Sequence, residues 1–347
     1  MRALTLHRPE DIHFESVPDP EILDPGDVIV QVTDTAICGS DLHVYFGREK
    51  GLDAGTTMGH EFTGIIVARG KGVTTLREGM RVISPFTTSC GTCYYCRIGL
   101  TARCTRGQLF GWVAAGNGLQ GGQAELVRVP LAESTLIPVP GDLGPETSLL
   151  LGDILATGYQ GAVRLGSGVL NHVGVIGFGP VGMMAWQVLK RMRYERVTVF
   201  ETDPGRRHYA SQLGADVINP AEGAQLQEWL INQPGGGIDG VVEAVGGASA
   251  QQLAFNLVRA GGIISSVGVH TQPQFSFSPV DAYDKNITYH SGRCSARQHI
   301  PDLLQLLDAG WELISPFTDV FALSDGAAAY QRFAQRTPGC MKVLLKP

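Results

Sequence analysis

The sequence predicts an α/β protein of two domains: a β-rich domain over residues 1–154 and 292–347, and a strand–helix domain inserted into it over 155–291. Three observations carry this. Short Val/Ile-rich segments bounded by Gly, Pro or Asp run through the first part of the chain. From about residue 155, apolar runs of strand length alternate with helical stretches. That alternation stops near Ser291, before a last helix and a last strand.

In chain order, 27–33, 61–68, 79–83 and 124–129 read as strands of the β-rich domain. The run 173–176 is apolar throughout, as a strand buried on both faces requires. A helix follows from 181 to about 192, then a strand over 197–200 and a helix over 206–213. Segments 226–231, 240–245, 249–258 and 263–267 continue the alternation, which predicts a parallel sheet wrapped by helices. An amphipathic helix over 300–309 and a strand over 341–346 close the chain.

Composition bounds the rest. A chain of 347 residues, 44% hydrophobic and 17% charged, can bury two cores and is not disordered. Its 45 glycines suit many tight turns. The net charge of -6, with no long Lys/Arg run, argues against a nucleic-acid partner. The first residues lack a signal-peptide apolar core, and no apolar stretch reaches the roughly 18 residues of a membrane helix, so a cytoplasmic protein is expected.

Gly177-Phe178-Gly179-Pro180-Val181-Gly182 follows an apolar strand and opens a helix. This G-x-G-x-x-G turn lets the backbone approach a pyrophosphate at a helix N-terminus, the mark of a Rossmann dinucleotide site. Glu201 ends the second strand, where a carboxylate accepts the adenosine ribose hydroxyls and repels a 2′-phosphate, so NAD is expected over NADP. Arg206 nearby could serve a 2′-phosphate, and Asp203, in the turn before Pro204, is a competing acidic candidate.

The seven cysteines are clustered. Cys90, Cys93, Cys96 and Cys104 have the spacing of a closed tetrahedral zinc site that stiffens a loop. The alternative is a set of free surface thiols. Cys294 and Cys340 read as ordinary buried thiols. Three further positions, Cys38 in Cys38-Gly39-Ser40-Asp41, His60 in Gly59-His60-Glu61 and Asp153 after Gly152, offer a thiolate, an imidazole and a carboxylate. Three protein ligands with one open position define a catalytic zinc, and two anionic ligands offset the ion's charge.

These motifs, with Gly64, Gly70, Val73 and Leu151-Gly152-Asp153 before Thr157-Gly158, resemble the zinc-dependent medium-chain alcohol dehydrogenases over essentially the whole chain. The likeness is nearest the bacterial formaldehyde-dehydrogenase-like branch, because Asp153 stands where liver-type enzymes carry a cysteine. The resemblance implies a GroES-like fold for the β-rich domain, two zinc ions per chain, a small alcohol or aldehyde substrate, and a homo-oligomer, with a tetramer favoured. It implies that Glu61 lies beside the metal and can share it, that Asp41 orients His60, and that Phe86, Phe110 and Trp112 wall the pocket, although all three are also ordinary core candidates. It also implies a proton relay from the alcohol through Ser40 and the nicotinamide ribose to His43 and solvent; a hydroxyl suits a relay because it donates and accepts. The expected reaction is hydride transfer between a primary or secondary alcohol and NAD. A formaldehyde dehydrogenase or aldehyde dismutase, a polyol dehydrogenase, and a non-catalytic nucleotide-binding protein are the alternatives.

Overall fold

The computed structural model describes residues 1–166 and 171–347. The chain divides into two compact units, Met1–Ala156 with Ser295–Pro347, and Thr157–Cys294.

The first unit is organised around the strand Val28–Ile37. It pairs antiparallel with Glu61–Arg69 along most of its length. On its other side, Leu126–Val129 covers its first half and Lys342–Lys346 its second. Arg81–Ser84 extends the sheet beyond Glu61–Arg69, and Phe317–Ala322 runs parallel to Lys342–Lys346 at the opposite side. A chain segment more than 300 residues downstream thus completes the sheet, which is why this unit is discontinuous in sequence. Val28, Val30, Val32, Phe62, Ile66, Val82 and Val127 fill one core. A separate hairpin, Arg2–Arg8 with Asp11–Ser16, packs Leu4, Leu6 and Ile12 against Tyr330, Val343 and Leu345.

The register positions two candidate ligands. Ala36 lies opposite Glu61, so Cys38 and His60, just beyond that pair, emerge at the same end of the sheet. Phe62 lies opposite Ser84 in the next strand. The helix Pro145–Gly152 packs Leu149 against Ala36 and Leu344, and ends at Gly152. A Cβ on Gly152 would sit 2.3 Å from the Ser84 carbonyl oxygen, so only glycine lets the helix end close enough to bring Asp153 to that edge.

The second unit is a six-stranded parallel sheet. Its spatial order is Asp216–Ile218, Arg196–Phe200, His172–Ile176, Ile238–Glu243, Val258–Ser266, Thr288–Ser291. By sequence that is 3-2-1-4-5-6, the doubly wound dinucleotide-binding order, with its switch point beside the first strand. All five residues of His172–Ile176 are buried, as helices on both faces dictate. Among the described residues, no helix is long and apolar enough to cross a membrane.

Candidate functional site

Cys38, His60, Glu61 and Asp153 each bring a donor atom into one cluster, all within 4.8 Å of one another and all buried. Asp153 Oδ2 lies 3.4 Å from both Cys38 Sγ and His60 Nε2. His60 Nδ1 lies 3.1 Å from Asp41 Oδ1, while Asp41 Oδ2 accepts the Cys38 amide at 2.9 Å. Buried Asp41 therefore holds both ligands: it fixes the imidazole with Nε2 turned towards the thiol and carboxylate, the usual arrangement behind a metal-binding histidine. Gly59 has φ +92°, which lets the chain turn immediately before His60, and a Cβ there would strike Gln123.

The buried groups of the cluster shift one another's titration. Burial, then Asp153 and Glu61, push the Cys38 thiol up to about 12. Burial alone would pull His60 down, but Asp41, Cys38 and Asp153 outweigh it and hold the ring well above its ordinary value. Burial pushes Asp153 up, and hydrogen bonding and charge from His60 more than reverse this. A divalent ion inverts that balance, because a coordinated thiol is deprotonated.

Glu61 brings one oxygen to the cluster and commits the other elsewhere. Its Oε1 accepts a hydrogen bond from Lys342 Nζ at 2.8 Å, with both side chains fully buried. Its Oε2 is buried without a hydrogen-bond partner among the described residues. Burial raises its carboxyl and Lys342 opposes the rise. Lys342 was invisible to sequence reasoning; its only signal is a charged residue among apolar neighbours in the final strand.

Ser40 precedes the short helix Asp41–Tyr45, and its Oγ lies 3.1 Å from His60 Nε2. His43 is on that helix, half-buried, with a buried Nδ1 that has no hydrogen-bond partner among the described residues; burial lowers its pKa. Phe86 meets the His60 ring edge-on at 6.3 Å. The other two aromatics pack into cores, the alternative reading of these residues. Phe110 is 1% exposed and packs edge-on against Phe62 in the sheet core, and Trp112 lies against the hairpin's core. Phe110 is fully removed from water there, whereas Trp112 stays partly exposed.

The cysteines 90, 93, 96 and 104 converge within 4.8 Å. Backbone amides aim at the sulfurs: Cys93 N to Cys90 Sγ at 3.3 Å, Cys90 N to Cys104 Sγ at 3.2 Å and Arg106 N to Cys104 Sγ at 3.4 Å. Amides of Cys96 and Thr105 pull the Cys93 thiol down to about 5, although burial drives Cys96 up to about 12. Four sulfurs in a loop held by N–H donors suit a closed tetrahedral ion.

In the second unit, Gly177 to Gly182 link the strand His172–Ile176 to the helix Pro180–Arg191, with Gly179 at the N-cap and Pro180 at the first position. A Cβ on Gly182 would fall 1.9 Å from the Gly177 oxygen, so the helix meets the turn more closely than any side chain allows. Val181 lies in the helix's first turn. Glu201, buried at the end of Arg196–Phe200, accepts the Phe178 amide at 2.6 Å and the Asp203 amide at 2.8 Å. Asp203 instead caps the helix Pro204–Gln212 through the Arg206 amide. Arg206 lies against the turn, its Nη1 3.4 Å from where a Gly179 Cβ would stand. The reading of the sequence missed Glu243, fully buried at the end of Ile238–Glu243. It accepts the amides of Val245 and Gly246 and the Ser266 hydroxyl, each at 2.7 Å, and lies 2.9 Å from His270 Nε2.

Residues 24–141 match the alcohol dehydrogenase GroES-like domain, and residues 180–309 the zinc-binding dehydrogenase family. The chain is 36% identical to zinc-type alcohol dehydrogenase B of Aspergillus flavus, over 96% of this chain and 78% of that protein. It is 39% identical to the medium chain reductase/dehydrogenase ucsI of an Acremonium species, over 82% of this chain and 98% of that protein. The alcohol dehydrogenase TADH from Thermus sp. ATN1 superposes with a TM-score of 0.91 at 35% identity, over 100% of this chain and 99% of that one.

Proposed function

Because the chain belongs to the zinc-type medium-chain alcohol dehydrogenase family, we propose that it interconverts a primary or secondary alcohol and its aldehyde or ketone, with NAD as the partner in hydride transfer. The observation that carries this reading is the buried convergence of Cys38, His60 and Asp153 on one point, with His60 oriented by Asp41. One thiol, one backed imidazole and one carboxylate fit a three-ligand catalytic zinc, and the unpartnered Glu61 Oε2 fits a nearby cation. Bound there, zinc would supply Lewis-acid polarisation of the substrate oxygen, and the nicotinamide a hydride acceptor.

The chain's own residues do the rest. Cys38 and Asp153 hold the anionic side of the site, and Asp41 keeps His60 in the tautomer that leaves Nε2 free. Ser40 Oγ lies beside that nitrogen, where a hydroxyl would accept the substrate's proton and pass its own on towards His43 by way of the bound cofactor's ribose hydroxyl. His43, its pKa lowered by burial, stays neutral near pH 7 and so can receive a proton bound for solvent. Cys90, Cys93, Cys96 and Cys104 would hold a second, structural zinc. Glu201 at the strand end favours NAD over NADP, with Arg206 facing the phosphate turn. Asp153 in the third ligand position supports a place in the formaldehyde-dehydrogenase-like branch.

The test pairs metal content with turnover. Cys38→Ser and Asp153→Asn should each lose one zinc per chain and lower NADH formation from an alcohol panel to background, with the fold retained by circular dichroism. Full turnover by a variant that has lost that zinc would overturn the scheme.

A further inference from the structure

The hairpin Arg2–Arg8/Asp11–Ser16 carries a third group of donors, unrelated in sequence and place to the two cysteine-containing clusters. Thr5 pairs with His13 and Ala3 with Glu15, so His13 and Glu15 stand on one face, two residues apart. The register slips between Leu6 and Arg8, which makes His7 the extra residue of a bulge. Bulges re-aim side chains, and this one brings His7 onto the same group. The His7 and His13 ring centroids are 4.6 Å apart, and His7 Nε2 lies 2.7 Å from Glu15 Oε1. One donor atom from each of the three residues lies within 4.8 Å of the others.

We propose that His7, His13 and Glu15 form a peripheral site for a divalent borderline metal ion, Zn²⁺ above all, that clamps the two strands of the hairpin together. Two imidazoles and a carboxylate are the donor mix such ions favour over the oxygen-only sets of Mg²⁺ or Ca²⁺. The site already has the outer partner that metal-binding histidines use. Asp11 Oδ1 lies 2.8 Å from His13 Nε2, and Arg8 Nε donates to Asp11 Oδ2 at 2.9 Å. With the ring proton on Nε2 facing Asp11, Nδ1 of His13 carries the free lone pair. Thr5 Oγ1 donates to Glu15, and this bond and the one from His7 hold the carboxyl below its usual range. An ion entering the group takes the place of the proton shared by His7 and Glu15. The three side chains are between a third and a half exposed, so water completes the coordination and the ion exchanges with solvent.

The test is a zinc titration of the full-length enzyme, after dialysis against metal-free buffer without chelator so that its buried sites stay filled. At micromolar free zinc, wild type should take up one ion more per chain than the double variant H7N/H13N, whose alcohol oxidation and uncomplexed melting temperature stay unchanged. Asp11→Asn should weaken uptake by roughly 10-fold or more. Zinc should shift the ring resonances of His7 and His13 in the wild-type protein, a readout that needs no variant. Equal uptake by wild type and double variant, or ring resonances that stay put at saturating micromolar zinc, would overturn the proposal. Neither result bears on the buried zinc or on the reaction proposed above.

Discussion

Replacing Lys342 by Met tests the buried charge balance behind the candidate metal cluster. Lys342 and Glu61 are both fully buried, their charged atoms 2.8 Å apart. Lys342 Nζ also lies 3.3 Å from the Ile37 carbonyl oxygen, one residue before Cys38. Met conserves the volume and removes the charge, which leaves the Glu61 carboxylate buried beside Asp153 with neither oxygen paired. Breaking a buried ion pair from one side costs about 3–5 kcal/mol, because the remaining charge stays desolvated. Protonating Glu61 relieves part of this cost: burial already raises its carboxyl, and the opposing Lys342 is gone. The loss at neutral pH should therefore be about 3 kcal/mol, and smaller in acid. Denaturant unfolding of wild type, Lys342→Met, Glu61→Gln and the double variant measures it. The double variant should recover most of the loss, since no uncompensated charge remains. A bound dication takes over part of the role of Lys342, so chelator-treated protein should lose more than zinc-loaded protein. A loss below about 1 kcal/mol in Lys342→Met, or no recovery in the double variant, would refute this account of Glu61.

Two further outcomes follow from the second unit. The Glu243 hydrogen bond and charge raise the His270 pKa above 6.5, so its contribution to stability is fully present below about pH 6.5 and is lost as pH rises through the raised value. Burial pushes Glu243 up, but bonds from His270, Gly246 and Ser266 bring it below 4.5, so its own contribution is present above that value and goes as pH falls. Glu243→Gln should flatten both limbs of the stability–pH curve and return His270 towards its ordinary titration, followed by its ring resonances; a His270 value still raised would count against the pairing. Gly182→Ala places a methyl 1.9 Å from the Gly177 oxygen, so it should destabilise the fold by roughly 1–3 kcal/mol and weaken NAD binding in calorimetry, and unaltered affinity would show that the turn can open at no cost.

What the sequence disclosed follows how local each signal is. The four-cysteine loop and the G-x-G-x-x-G turn each lie within one short segment, so spacing alone exposes them. Cys38, His60 and Asp153 are dispersed, and they became legible through their glycine neighbours; Gly59 and Gly152 stand where the structure admits no side chain. Lys342 and Glu61 are 281 positions apart, and only the pairing of the last strand with Val28–Ile37 brings them together. His270 similarly reaches Glu243 from a loop, outside any element whose period could place it. Local chemistry also misled. The amphipathic pattern sets the expected helix at 300–309, yet the helix begins at Ala296, its first turn being polar, and carries Pro301 inside it. Strands of three or four residues, such as Asp216–Ile218 and Thr288–Ser291, are too short for a period to show and are specified by the neighbours they pair with.

The same charge balance gives Glu61 a role distinct from that of Asp153. Asp153 reaches both the thiol and the imidazole, so removing it takes a donor from the centre of the cluster. Glu61 has committed one oxygen to Lys342, and moving that oxygen onto an ion would break a fully buried ion pair. Its Oε2, unpaired among the described residues, can face an ion without that loss, so Glu61 is expected to act first as a negative charge whose strength Lys342 moderates. Removing Lys342 should therefore tighten metal binding while it destabilises the fold, and removing Glu61 should weaken metal binding without emptying the site. A Glu61→Gln variant that loses its zinc as completely as Asp153→Asn would instead make Glu61 a ligand of equal standing.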